Sequence, residues 1–377
     1  MNVERIRRDF PALDEWTYLD TSFIGLYPRQ VRRGYDDFLD QWMGFTVGTK
    51  PLLTEWLEKT AEVRGMVASF IGSSPNEIAF TLCTGSGLNI VVNGTEWGRG
   101  DNVVFPEWEH NPLDTMVLRR HGVEARSVKV REGRVELADL EKAVDDDTKL
   151  VQVSQVSYVN GYRFNLRDVA EIVHEHGAKL LVDATQAIGA LATDVGRSEV
   201  DYLAAAPYKY LMGPAGLAFL YVKREHIEGL TPDRVGWKNQ IREGEHAEKP
   251  QEQGTAEKFE YGTMHFQGIY GLERSLEYIN RLGIGAIERR DLELSDYLWT
   301  RLNNLGRRMY TPPDTRSTIV SFYNDDATEL SARLMAERVK VTGREAHGAH
   351  IRVSPHFYNT KGDIDHFLAK LVEAKRS

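Results

Sequence analysis

Between Ala178 and Val222 the chain carries three short apolar runs separated by turns, and few folds accommodate that arrangement. Leu180, Leu181 and Val182 lead into Asp183; Asp201 to Ala206 forms a second run; Leu217 to Val222 forms a third. Pro207, Gly213, Pro214 and Gly216 mark the turn between the second and third, because these residues punctuate regular structure. A short apolar run bounded by turn signals reads as a buried strand. The first is predicted to be a parallel strand of an open α/β sheet, which binds ligands outside the carboxyl ends of its strands. Asp183 therefore marks a site, and Lys209 falls on the turn between two neighbouring strands.

With 377 residues, 41% hydrophobic and 27% charged, the chain has ample material for a core. That length predicts two or three domains, or one large α/β domain with an appendage. Lys and Arg number 47 against 56 Asp and Glu, giving a net charge of −9. That balance, with no basic cluster, argues against a nucleic-acid surface, which needs concentrated positive charge. No apolar run has the length of a signal peptide core or a membrane span, so a cytoplasmic protein without membrane contact is expected. Cys83 is the single cysteine. It can form neither an internal disulfide nor a metal cluster, and it is expected to be a small buried residue. The 11 histidines show no metal-ligand spacing, so no metal is assigned.

Ile78 to Cys83 reads as a strand running into Thr84-Gly-Ser-Gly-Leu-Asn89 and a helix starting near Leu88. Small residues at a strand-to-helix turn let backbone N–H groups approach an anion, and the helix dipole favours its charge. Gly85 and Ser86 are thus candidate phosphate-binding residues. A carboxylate that keeps a pyridine nitrogen protonated and an amine that forms a Schiff base are what pyridoxal phosphate asks of a protein. Asp183 and Lys209 supply both.

The pattern V-D-A-T-Q-A, followed 26 positions after its Asp by the lysine of Y-K-Y-L-M-G-P-A-G, resembles the class V aminotransferase fold. That superfamily includes cysteine desulfurases, kynureninases and isopenicillin N epimerase-like enzymes. The resemblance covers about residues 17 to 374 and implies a fold type I α/β architecture with a mostly parallel central sheet. The expected division is an N-terminal arm over 1–20, a large cofactor-binding domain over 21–265, and a linker helix with a small α+β domain over 266–377. It implies that Asp183 pairs with the pyridinium nitrogen, Gln186 bonds the ring O3′, and Lys209 forms the Schiff base. Tyr208 takes the place of the family's phosphate-binding His, while Ala206 stands where a Ser donor is usual. His110, in Glu107-Trp-Glu-His-Asn-Pro112, is the candidate ring stacker, with Trp108 or Glu109 reached by a register change. Tyr158 follows a V-S-x-V-S strand and faces cofactor or substrate, where desulfurases usually have Asn. The opening segment Tyr18 to Pro28 lines the substrate side. Phe259-Glu-Tyr-Gly-Thr263 is similar to F-E-x-G-T, whose Thr reaches the phosphate of a neighbouring subunit, which implies a homodimer. Ile351-Arg-Val-Ser-Pro-His-Phe-Tyr-Asn-Thr360 resembles the segment whose arginine grips the α-carboxylate of the substrate, here Arg352.

Thr231 to Lys258 is polar and lacks periodicity, as expected of an active-site or dimer-contact loop. Val341 to His350, where desulfurases carry a nucleophilic cysteine, has none. The sequence is therefore read as excluding cysteine desulfurase activity. Transamination or C–S β-elimination on an amino acid is expected, with epimerisation as an alternative and a non-catalytic cofactor-binding regulator as a reading of another class.

Overall fold

The computed structural model describes residues 1–45, 50–110, 122–241, 251–314 and 316–374. Its centre is a seven-stranded sheet. In chain order the strands are β1 (Ile78–Thr81), β2 (Asn102–Pro106), β3 (Glu124–Val128), β4 (Thr148–Ser154), β5 (Lys179–Asp183), β6 (Tyr202–Ala205) and β7 (Ala218–Val222). They lie side by side in the order β1-β7-β6-β5-β4-β2-β3. The neighbours from β6 to β3 are parallel, and β7 runs antiparallel to both β6 and β1. Strands covered on both faces read as continuous apolar runs, and β5 to β7 are buried almost throughout. Val151, Val153, Leu180 and Val182 enter one core, Leu150, Leu181 and Ala204 the core on the other face.

The three runs predicted around Asp183 and Lys209 are β5, β6 and β7. Helix α1 (Arg29–Gly44) and helix α2 (Leu52–Ile71) precede the sheet. Helix α3 (Thr84–Gly94) starts four residues ahead of the expected Leu88. The reason is that Ser86 N and Gly87 N already bond to Cys83 O, so the Thr-Gly-Ser-Gly run is the first helical turn and not the loop before it. Cys83, expected to be buried, is exposed at the N-cap. The polar stretch after Thr231 contains a two-residue strand pair, Gln240–Ile241 with Gln251–Glu252, and a 3-10 turn, Ala256–Phe259. Residues 242–250 of that predicted loop lie outside the described residues.

After this stretch the chain enters two long helices that join near Gly283. Helix α4 (Phe266–Leu282) and helix α5 (Ile284–Asn304) meet there, with Gly283 at φ 81°. Beyond them, β8 (Val320–Tyr323), β9 (Thr342–Arg344) and β10 (His350–Val353) form an antiparallel sheet in the order β8-β10-β9, backed by Leu294, Leu298, Phe367 and Leu371. Tyr18 to Ser22 runs alongside this module: Thr17 and Tyr18 pair with Val339 and Lys340, and Asp20 bridges to Ser354. No helix among the described residues is long and apolar enough to cross a membrane.

At the end of the sheet away from Asp183, buried Asp201 clasps three elements. Oδ2 accepts from Leu180 N (2.7 Å) and meets His174 Nε2 (2.8 Å), while Oδ1 meets His226 Nε2 (2.7 Å). Burial pushes its pKa up, but the bonds from His226, Leu180 N and His174 outweigh this and hold it below the usual value. A carboxyl with a depressed folded pKa stabilises fully above its unfolded pKa and loses that contribution as pH falls through the folded one. Asp201→Ala is expected to cost roughly 2–4 kcal/mol, and Asp201→Asn to flatten the acid limb of stability below about pH 4. Urea unfolding across pH 3 to 7 checks both; an unchanged acid limb in Asp201→Asn would remove this role.

Candidate active site

The parallel register brings Ser154, Asp183 and Ala204 level at the ends of β4, β5 and β6. There the strands turn outward and leave a cavity of ≈ 580 Å³, counting its open mouth. Cys83, Thr84, Gly85, His110, Ser154, Tyr158, Asp183, Thr185, Gln186, Ala206, Tyr208 and Lys209 line it. Seven of the ten predicted site residues thus share one space. Arg352 is one contact behind the wall, its Nη1 donating to Tyr158 O at 2.7 Å. Ser86 and Thr263 lie instead in an adjoining groove, with Phe80, Leu82 and Tyr261.

Lys209 is buried, and its Nζ lies 5.5 Å from the centre of the Tyr208 ring. Burial is the main reason that its pKa falls to about 7; Arg352 lowers it further, and Asp183 works against both. The lysine loop is held from several sides. Met212 N donates back to Lys209 O, and Gly25 N donates to Tyr208 O at 2.9 Å. A Cβ at Gly25 would collide with Lys209 O, so glycine is the residue that lets the opening segment lie across this loop. His356, fully buried, bridges from Asp291 Oδ2 (2.7 Å) to Tyr210 O (2.9 Å).

Asp183 is buried, and its Oδ1 accepts from Thr185 N at 2.9 Å. Thr185 Oγ1 meets Thr84 Oγ1 at 2.6 Å, which ties this loop to the start of α3. Gln186 donates through Nε2 to Ser22 O (3.0 Å), while its buried Oε1 has no partner. Of the three candidate stackers, only His110 faces this cavity; its ring meets that of Tyr158 edge-on at 4.9 Å. Trp108 packs on Tyr310 and His347 instead. Glu109 points inward, accepting from Ser154 N (2.8 Å) and Ser154 Oγ (2.5 Å), and burial raises its pKa to about 8.

Sequence reasoning passed over Thr84, Ser154 and Thr185 as cavity residues, and Arg344 and His347 beside Tyr158. Ser154 could be found only by knowing that β4 and β5 are neighbours. Arg344 lies on a three-residue strand too short to show a period.

These residues suit an aromatic aldehyde carrying a phosphate. A helix start without a side-chain cap offers N–H groups to an anion, Gln186 Oε1 has no hydrogen-bond partner, and an amine with a lowered pKa faces the same cavity as a buried carboxylate. The class-V aminotransferase description matches residues 17–367.

The chain belongs to the class-V aminotransferase family.

Its cofactor is pyridoxal phosphate, and it acts on an amino acid. A probable cysteine desulfurase of Methanothermobacter thermautotrophicus is 32% identical, covering 97% of this chain and 96% of its own. Another, from Pyrococcus abyssi, is 30% identical over 99% and 98%. The apo cysteine desulfurase of Thermococcus onnurineus has the same fold, with a TM-score of 0.90, 28% identity and coverage of 98% and 97%. These relatives overturn the exclusion drawn from the cysteine-free interval 341–350. A thiol in that loop would break the C–S bond by attack on sulfur, whereas β-elimination breaks the same bond without one.

A pKa near 7 means that the Lys209 amine of the apo protein is mostly neutral above that pH and loses tenfold in reactive fraction per unit below it. Reductive methylation, followed by peptide mass spectrometry, is expected to label Lys209 with a midpoint near pH 7. A midpoint above 10, as for exposed lysines, would contradict the geometry described.

Proposed function

We propose that this class-V enzyme breaks the Cβ–S bond of cysteine or an S-substituted cysteine. The observation that carries the reading is the shared cavity of Lys209 and Asp183, with Arg352 one contact away. The full-length likeness to probable cysteine desulfurases points it at sulfur. When bound, pyridoxal phosphate supplies a conjugated electron sink for the pair released at Cα.

The chain's residues do the rest. The Asp183 carboxylate favours a protonated pyridine nitrogen, as an adjacent negative charge does. Gln186 would bond the ring O3′, and His110 would pack on the ring face. The start of α3, Gly85 above all, and the Tyr208 hydroxyl hold the phosphate. Arg352 Nε and Nη2, a fork suited to the α-carboxylate, make no hydrogen bond inside the protein, although Asp20 Oδ1 stands 3.8 Å from Nη2. With the substrate's carboxylate and amino group fixed, the Lys209 amine takes the proton from Cα, and a sulfur substituent at Cβ can depart with the bonding pair. We further propose a homodimer in which Thr263, in the groove beside the phosphate end, reaches the phosphate of a second copy, while Ser86 serves the phosphate of its own chain. The buried Glu260 holds this segment, bonding Arg64 (2.6 Å), Phe80 N (2.7 Å) and Lys238.

Incubation with cysteine and S-conjugated cysteines, read by mass spectrometry, tests the assignment. C–S cleavage predicts thiol with pyruvate and ammonium, or alanine with transferred sulfur, without a keto-acid acceptor. A keto acid with its C–S bond intact, formed only when an acceptor is added, would make the enzyme an aminotransferase instead. Lys209→Ala is expected to lose about 10³-fold or more in turnover. Arg352→Gln is expected to raise KM by roughly 10–100-fold, the worth of a charge-assisted fork, with a smaller change in kcat.

A further inference from the structure

Beside Tyr158 stands a cation that substrate anchoring leaves unused. In the pairing of β9 with β10, Thr342 lies opposite Arg352 and Arg344 opposite His350. Directly opposed residues share a face, and side chains alternate along a strand. Arg344 and Arg352 therefore project from one face of this sheet as diagonal neighbours. The Arg344 guanidinium lies 5.1 Å from the centre of the Tyr158 ring, and Tyr158 lines the cavity with Lys209. The buried Nε of Arg344 has no hydrogen-bond partner.

Two guanidinium groups side by side repel, and the effect is visible on both sides of the cavity. Arg352 is pulled down to about 10 by burial and then by Arg344, and Arg344 also lowers Lys209. Asp20 does little to relieve Arg344. Its Oδ1 accepts from Thr342 Oγ1 (2.6 Å) and stands 3.8 Å from Arg352 Nη2, and its Oδ2 faces Lys340 (3.3 Å). A half-buried cation beside Tyr158, with a buried Nε that makes no hydrogen bond, suits negative charge that arrives from outside the protein.

Tyr158 is fixed against it on every side. Its hydroxyl meets His347 Nε2 at 3.2 Å, its carbonyl accepts from Arg352, and its ring carries Arg344. His347 adopts φ 62° and packs on Trp108, with its carbonyl bonded by Tyr310.

With Arg352 assigned to the α-carboxylate, one further negative charge develops during the reaction, on the departing sulfur. We propose that Arg344 is the catalytic residue that receives the leaving thiolate, stabilising sulfur as the Cβ–S bond breaks. This rests on the C–S cleavage reading. The bonding pair stays on sulfur, Lys209 takes the proton from Cα, and an equivalent proton ends on the released thiol. The three-carbon remainder leaves as an enamine, which water converts to pyruvate and ammonium. Substrate and water on one side equal thiol, pyruvate and ammonium on the other, with no oxidant or reductant.

The test compares holoenzymes of wild type, Arg344→Gln and Arg344→Lys on cysteines whose sulfur bears leaving groups from a nitrophenyl thiol to a simple alkyl thiol. A preorganised donor matters most where charge on the leaving atom is least stable. Arg344→Gln should lose about 10²-fold in kcat/KM with the alkyl thiol and only about threefold with the nitrophenyl thiol. Arg344→Lys should recover much of the alkyl-thiol rate. An equal loss across the series, or a change in KM alone, would overturn the role. A Gln variant that does not take up cofactor leaves the lysine variant as the test, since a full wild-type slope is expected only where the charge is kept. Failure of wild type to cleave any of these substrates would overturn the C–S reading itself, and this one with it.

Discussion

Removing one lysine amine from water is the constraint on which the site depends. Lys209 sits at the ends of strands that are themselves buried on both faces, so desolvation, more than any single charge, brings its pKa to about 7. A lysine in water would stay protonated and could neither form a Schiff base readily nor accept a proton from carbon. The surrounding structure keeps the lysine loop in this position. Gly25 allows the opening segment to cross it, His356 holds the carbonyl of Tyr210, and Thr84 with Thr185 joins the start of α3 to the loop after Asp183.

The same segments connect the two sheets. Asp20, Thr21 and Ser22 run beside Ser354 and Tyr358, and Ser22 also receives Gln186. Residues proposed to hold the ring are therefore in hydrogen-bonded contact with the strand that carries Arg352. A substrate held at Arg352, as proposed, would be placed relative to Lys209 by this hydrogen-bonded structure. Fixed geometry of this kind is how a protein turns binding into rate.

Much of this was legible in the sequence because it is local. Strands β5, β6 and β7 announce themselves as apolar runs, and Asp183, Gln186 and Lys209 stand at short, fixed distances from them. The start of α3 was misplaced because Gly and Ser suggest a turn, whereas Cys83 O captures two N–H groups and extends the helix. Cys83 was expected inside because cysteine is usually buried, but it stands at the exposed N-cap of α3. Ser154, Arg344 and His347 were missed for other reasons. Ser154 takes its place from the strand order that sets β4 beside β5, while Arg344 and His347 lie on or near a three-residue strand too short to show a period. The interval 341–350 misled because one missing thiol was taken as the absence of a reaction, which the likeness to cysteine desulfurases contradicts.

The most direct measurement of the central claim is reduction of the reconstituted holoenzyme with borohydride, followed by peptide mapping. The account predicts a single phosphopyridoxyl group, on Lys209, whose attachment is lost in Lys209→Ala and weakened in Asp183→Ala. A label on another lysine, or equal uptake by the Lys209→Ala protein, would contradict it.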